Sequence, residues 1–207
     1  VHNPHSFFNF KTLLTVKKIV FATNNAHKLE ELRRMAGDKF EILSLSDINC
    51  HEEIPETADT LQGNALQKAH WINERYGVDC FADDTGLEVD ALGGDPGVRT
   101  ARYAGEHCDP ADNMRLLLHN LEGETNRHAT FRTVIALILH GEEHIFNGAV
   151  EGIITEQQSG KAGFGYDPVF QPLGWNKTFA EADPDEKNAI SHRGRAVEGL
   201  INYLLSL

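Results

Sequence analysis

Two short stretches late in this chain carry residue types suited to holding a flat heterocycle. Residues 163–168 read GFGYDP and residues 187–195 read KNAISHRGR. In the first, glycines flank Phe164, and their backbone freedom lets a planar ligand approach the ring closely. It also supplies Tyr166 and Asp167. The proline after Asp167 biases that residue to extended backbone, so its carboxylate is expected to project from the turn. The second stretch gathers Lys187, His192, Arg193 and Arg195 around a helix start at Ser191. The helix dipole disfavours cations at that end, so their repeated presence points to a ligand. Taken singly, Phe164 or Tyr166 reads equally well as a core residue under a glycine-rich bend. About 25 residues separate the stretches, within reach of one short fold-back.

Upstream lie two groups suited to phosphate and metal. Asp83 and Asp84 follow the apolar run Cys80–Ala82, and adjacent carboxylates repel unless a cation or backbone amides offset them. Glu56, within the acidic loop EEIPETAD, offers a third oxygen ligand. Hard oxygen donors without His or Cys select Mg²⁺, which completes its shell with water and substrate phosphate. The alternative is an Asx-turn in which both aspartates serve local hydrogen bonds. In TNNAHK, residues 23–28, a polar turn and a lysine sit at a helix start. Free amides, Thr23, Asn25 and Lys28 together suit a phosphate, or Asn24 or Asn25 simply caps the helix with Lys28 in solvent. The GxxxxGK[ST] pattern of a Walker loop is absent.

The elements that must position these groups follow from periodicity and caps. Lys18–Ala22 reads as a buried strand, followed by a helix with Leu29, Leu32 and Ala36 on one face and Gly37 as its stop. Glu41–Leu45 reads as a second strand. Asp59 or Thr60 caps a long helix bearing Leu61, Ala65, Ala69, Ile72 and Tyr76, ended by Gly77. Cys80–Ala82 and Leu87–Leu92 read as two strands joined through the DDTG turn. Asp109-Pro110 starts a helix with Met114, Leu117, Leu118 and Leu121 inward. Phe131–Leu139 and Ile145–Thr155 form a hairpin around residues 140–143, and Ser191 caps a last helix. Alternating elements followed by a hairpin predict an α/β fold with a mixed sheet.

Bulk properties narrow the function classes. With 19 Lys+Arg against 31 Asp+Glu the formal charge is −12, which repels a polyphosphate backbone and argues against nucleic-acid partners. The longest apolar run, Val134–Leu139, is too short to cross a bilayer. Three separated cysteines without a CxxC pair suggest a reducing compartment, the cytoplasm, and no structural zinc. Residues 1–16 lack a cationic start and a small-residue cleavage site and read as an N-terminal extension. Residues 17–207 are then long enough for one domain or two tightly joined lobes.

Taken in order, FATNNAHK, FADDTGLEVDALGGDPGVRTARYAGE, GFGYDPVF and EKNAISHRGRA resemble the inosine-triphosphate/xanthosine-triphosphate pyrophosphatase family from Lys18 to the C-terminus. The resemblance implies an elongated α/β fold, with a long mixed sheet flanked by helices and a central cleft between two lobes, and a homodimer. It implies Mg²⁺-dependent hydrolysis of ITP, dITP and XTP to the monophosphate and pyrophosphate, clearing deaminated purines from the nucleotide pool. By motif position, Thr23, Asn24, Asn25, Ala26, His27 and Lys28 would contact the triphosphate. Asp84 would be the catalytic carboxylate and, with Glu56, a metal ligand; Thr85 would touch substrate. Phe164, Gly165, Tyr166, Asp167, Lys187, His192 and Arg193 would hold the nucleoside. One departure is Asn24, where the family often has glycine; asparagine is the least strained substitute if that position needs positive φ. The rival readings are a pyrophosphatase for other damaged or pyrimidine nucleotides, and a non-catalytic nucleotide-binding module whose acidic cluster is structural.

Overall fold

The computed structural model describes residues 17–207; the 16-residue extension lies outside the described residues. The chain runs β1 (Lys17–Phe21), α1 (Ala26–Ala36), β2 (Phe40–Leu43), α2 (Leu61–Tyr76), β3 (Cys80–Val89) and the two-residue β4 (Pro96–Gly97). It continues with α3 (Pro110–Asn120), β5 (His128–Leu139), β6 (Glu142–Ile154), β7 (Phe170–Pro172), α4 (Pro184–Ile190) and α5 (His192–Leu205). One mixed sheet in the order β2-β1-β3-β5-β6-β7 gathers the strands, with β4 on the flank of β3. The pairs β1–β2 and β1–β3 are parallel and the others antiparallel, as the alternating early elements and late hairpin predict. Among the described residues, no helix is long and apolar enough to cross a membrane.

Local chemistry fixes the ends of the helices. Asn25 caps α1, its side chain accepting from the amides of His27 and Lys28, and Gly37 closes that helix at φ 53°. Thr60 caps α2 and Gly77 ends it in the left-handed region, a conformation that glycine tolerates without strain. Ser191 ends α4 and caps α5, so the two helices meet at one residue. The short α4 does not figure among the expected elements.

Two strand expectations are corrected. β3 is a single ten-residue strand paired with β5 from Cys80 to Val89, so Asp83 and Asp84 lie inside it rather than in a turn between two strands. The hairpin loop is only His140-Gly141, both residues at positive φ (52° and 84°), the backbone that matches the twist of the flanking strands. β6 accordingly starts at Glu142 rather than Ile145, and β5 starts three residues earlier than expected, at His128.

Strand alternation sorts the core. On one face, Ile19, Phe21, Phe81, Ile135 and Leu137 pack under α1 and under Val197, Leu200 and Leu204 of α5. On the other, Val20, Ala22, Cys80, Ala82, Val134 and Ala136 pack under Ala65, Ala69 and Ile72 of α2. Farther along the first face, Leu87, Val89, Ala129 and Phe131 meet α3 and the segment from Tyr166 to Phe179. Asp83, Thr85 and Thr133 interrupt that face between its two apolar clusters, buried or half-buried. At the same level β1 has already ended. It pairs with β3 only at Val20–Cys80 and Phe21–Phe81, and β4 joins β3 only from Leu87. The edge of β3 between those contacts opens as a gap in the sheet, next to the carboxyl end of β1, where open α/β sheets place their ligands.

Candidate active site

Because successive strand residues face opposite ways, Asp83 and Asp84 point to opposite faces of the sheet. Asp83 points toward α1 and α5. Its Oδ1 accepts from Lys28 Nζ at 2.9 Å, and its Oδ2 takes longer bonds from Arg193 Nε and Thr85 Oγ1, both 3.4 Å. Burial opposes charge on Asp83, but Lys28, Arg193 and Lys68 outweigh it and hold the carboxyl far below the usual range. Lys28 itself is pulled below its ordinary value, by burial and by neighbouring Lys68 and Arg193 against the attraction of Asp83. The three surrounding cations thus favour the ionised form of Asp83.

The cations extend outward through Glu31. Arg193 Nη1 donates to Glu31 Oε2 at 2.7 Å, and Lys187 Nζ donates to Glu31 Oε1 and Asp167 Oδ2, each at 2.8 Å. Charge therefore alternates along Lys28, Asp83, Arg193, Glu31, Lys187 and Asp167. Burial works against the Glu31 anion, yet Arg193 and Lys187 hold its pKa below the ordinary value. Arg193 is raised in turn, Asp83 and Glu31 prevailing over burial. For Asp167 burial prevails over Lys187, and its pKa is raised.

Phe164 lies against this chain of charges. Lys187 Nζ and Arg193 Cζ stand 5.1 Å and 5.3 Å from its ring centre, and His27 stacks on it at 5.4 Å. A recess of about 210 Å³ opens beside the stack, bounded by Glu31, Arg34, Phe179 and Lys187. The expected outward carboxylate of Asp167 is corrected. Asp167 begins a short 3-10 turn and is buried, its Oδ2 accepting from Phe164 N at 2.8 Å. A Cβ on Gly163 would fall 2.0 Å from that oxygen, so the carboxylate itself requires the glycine. Tyr166 is committed to packing, its hydroxyl donating to Thr100 O at 2.9 Å. Gly165 adopts φ 63°. His192 is buried beside Phe131 and Phe179, and its Nδ1 finds no hydrogen-bond partner among the described residues. Burial, with Arg193 and Lys187 nearby, keeps it neutral well below the ordinary histidine value.

Asp84 faces α2. Its Oδ2 accepts from Asn64 Nδ2 at 3.1 Å, its Oδ1 from Thr85 N at 3.0 Å, and Lys68 Nζ stands 4.0 Å away. Burial raises its pKa, only partly offset by Lys68, Lys28 and Asn64. Lys68 also bonds Glu56 Oε1. Burial disfavours the Lys68 ammonium, but Asp84, Glu56 and Asp83 hold it above its ordinary value. Glu56 and Asp84 thus converge on one positive centre from two elements, and their oxygens are donors of the kind that hard divalent cations take. Among the described residues, no group of three or more His, Cys, Asp or Glu side chains is set to hold a metal on its own.

At the start of α1, Thr23 Oγ1 accepts from Asn25 N at 3.1 Å and Asn25 Oδ1 takes the amides of His27 and Lys28. Asn24 and Ala26 are exposed beside them, and Asn24 is not among the described non-glycine residues at positive φ. The fold thus gathers Lys28, Thr85, Phe164, Asp167, Lys187 and Arg193 on one side of β3 and sets Glu56 and Asp84 together on the other. Sequence reasoning missed Glu31, Asn64 and Lys68. Each sits on an amphipathic helix at a position that reads as solvated. The available signal was the Asn64–Lys68 spacing of four, which puts both on the buried face of α2 with Ala65 and Ala69.

Comparison with known proteins is consistent with this geometry. A dITP/XTP pyrophosphatase from Flavobacterium johnsoniae is 56% identical over 187 residues, covering 90% of this chain and 97% of that protein. One from Porphyromonas gingivalis is 54% identical over 191 residues, covering 92% and 98%. The solved structure of a HAM1 protein from Coxiella burnetii superposes with a TM-score of 0.85 at 37% identity, covering 93% of this chain and all of that one. The Staphylococcus aureus Ham1 protein gives 0.83 at 35% identity, covering 92% and 99%. The sequence model of the Ham1 family matches residues 19–203, and the chain belongs to that family.

Proposed function

We propose that this protein hydrolyses deaminated purine nucleoside triphosphates, dITP, ITP and XTP, to the nucleoside monophosphate and pyrophosphate. The observation that carries this reading is the division of work across β3. Asp84 faces α2 beside Glu56 and Lys68, while its neighbour Asp83 faces α1 and α5 and leads through Lys28, Arg193, Glu31 and Lys187 to Phe164 and the recess beside it. The names of the relatives that are 56% and 54% identical support the same reading.

The chain's own residues perform distinct tasks. Lys28, at the start of α1, meets the phosphate charge. Glu56 and Asp84 would hold Mg²⁺ together with substrate oxygens, and the ion would neutralise charge on those oxygens. Asp84 orients a water for attack at the α-phosphorus and accepts its proton. On the far side, Phe164 offers its face to the base. Lys187 uses two of its three donors and Arg193 three of its five, so each keeps a donor for a 6-oxo acceptor. Adenine presents a 6-amino donor there, and opposed buried donors cost about 1–3 kcal/mol per unpaired group. The reading includes a homodimer working in the cytoplasm, testable by solution mass and cell fractionation.

The deciding experiment is pyrophosphate release from dITP, ITP and XTP against ATP and GTP, with and without Mg²⁺. The expected result is magnesium-dependent release that favours the deaminated bases at least about tenfold over ATP. Equal rates for ATP and ITP would remove the base-reading role from the recess.

A further inference from the structure

Asn64 is buried in the first turn of α2, 1% exposed, and uses both ends of its side-chain amide. Its Nδ2 donates to Asp84 Oδ2 at 3.1 Å, and its Oδ1 accepts from Ala58 N at 2.8 Å. A carboxylate oxygen requires a donor and a backbone N–H an acceptor, so the two partners fix which way the amide points. One turn on, Gln67 repeats the device. Its Oε1 accepts from Thr57 N at 2.8 Å and its Nε2 donates to Thr57 Oγ1 at 2.9 Å. The loop is thus pinned at Thr57 and Ala58, directly after Glu56, while Lys68 on the same helix face reaches Glu56 and Asp84.

We propose that Asn64 is a positioning residue for the reaction: it clamps the Asp84 carboxylate and the Glu56-bearing loop to one helix and so sets their separation. The inference rests on the reading of Glu56 and Asp84 as the reacting half of the site. An asparagine amide supplies both bonds without carrying charge. Alanine supplies neither. Aspartate keeps the acceptor for Ala58 N but loses the donor to Asp84 and adds a repelling charge. Gln67 touches the loop and not Asp84, so its variant separates loop anchoring from carboxylate positioning.

The test compares the wild-type protein with Asn64→Ala, Asn64→Asp and Gln67→Ala. It measures kcat and KM for dITP with Mg²⁺, thermal midpoints, and amide exchange of residues 56–58 in nucleotide-free, metal-free protein. For both Asn64 variants kcat should fall at least tenfold with KM within threefold of wild type. Exchange at Thr57 and Ala58 should accelerate at least tenfold in Asn64→Ala and Gln67→Ala but not in Asn64→Asp, and Gln67→Ala, which keeps the bond to Asp84, should lower kcat less than either Asn64 variant. If Asn64→Ala does not fold, Asn64→Asp decides alone. A folded Asn64→Asp with kcat within twofold of wild type overturns the proposal, as does unchanged exchange at Ala58 in a folded Asn64→Ala. A wild-type protein that releases no pyrophosphate from dITP or XTP instead overturns the functional reading; the exchange measurement still reports on the clamp.

Discussion

Asp84 differs from its neighbour Asp83 in what each oxygen meets. Asp83 sits among three cations and stays ionised, whereas Asp84 meets one amide, one backbone N–H and a lysine at 4.0 Å, and its pKa rises. The substitution Asp84→Asn keeps the shape and removes the base. Turnover of dITP should fall by about 10²–10⁴-fold while calorimetry still detects nucleotide binding. Near-normal pyrophosphate release would take Asp84 out of the reaction. Other residues of the site were visible in the sequence to differing degrees. Lys187, His192 and Arg193 stand out because cations are rare where a helix begins, and Phe164 because glycines flank it. Glu31 carries no such mark, and Asn64 and Lys68 only their spacing of four beside Ala65 and Ala69. A glutamate, asparagine or lysine on a helix is ordinary until its tertiary partners are known, and these partners lie 162, 20 and 12 residues away in the chain.

At the level of elements, the capped and periodic segments were legible. The caps at Asn25, Thr60, Asp109 and Ser191 lie where the residue types place them. β3 was legible only at its ends, because a strand buried at eight of its ten residues with aspartates at its centre does not alternate; its pairing with β5 along its whole length carries it through the DDTG stretch. The short α4 escaped notice for a related reason. Its seven polar-rich residues lack an apolar stripe, although Asp183 followed by Pro184 is a start signal. The contact between β6 and α5 gives a sharp prediction. A Cβ on Gly148 would lie 2.0 Å from His192 O and 2.7 Å from Ala196 N, so strand and helix touch backbone to backbone. Gly148→Ala should force α5 outward and destabilise the fold by about 1–3 kcal/mol or more, read from the urea midpoint. It should also raise KM for dITP, because His192 and Arg193 ride on the displaced turn. An unchanged midpoint would mean that the two elements part without strain.

Across the whole molecule, burial of charged and titratable groups ties stability to pH. His192 stays neutral in the folded chain, its pKa pulled well below 6.5, whereas the unfolded chain takes up a proton there. The unfolded state therefore binds more protons, and stability is lost as pH falls below about 6.5, at up to about 1.4 kcal/mol per pH unit. Asp83 and Glu31 are depressed carboxyls. Their contribution is present above about pH 4 and fades as pH falls toward their folded values. Asp84 and Asp167 are raised and titrate with the opposite sign. Denaturation of wild type and His192→Phe between pH 7 and 5 isolates the histidine, since phenylalanine keeps the stack on Phe131. The variant should show a shallower loss over that range, and identical slopes would mean that His192 titrates alike in both states. A different consequence follows from the two aspartates standing back to back. A strand turns its faces over at every residue, so adding or deleting one residue in β3 ahead of Asp83 would exchange which aspartate meets α2 and which meets α1 and α5, while a change of residue type on one face leaves the register of the other in place. Length is therefore frozen in this strand in a way that residue identity on either face is not.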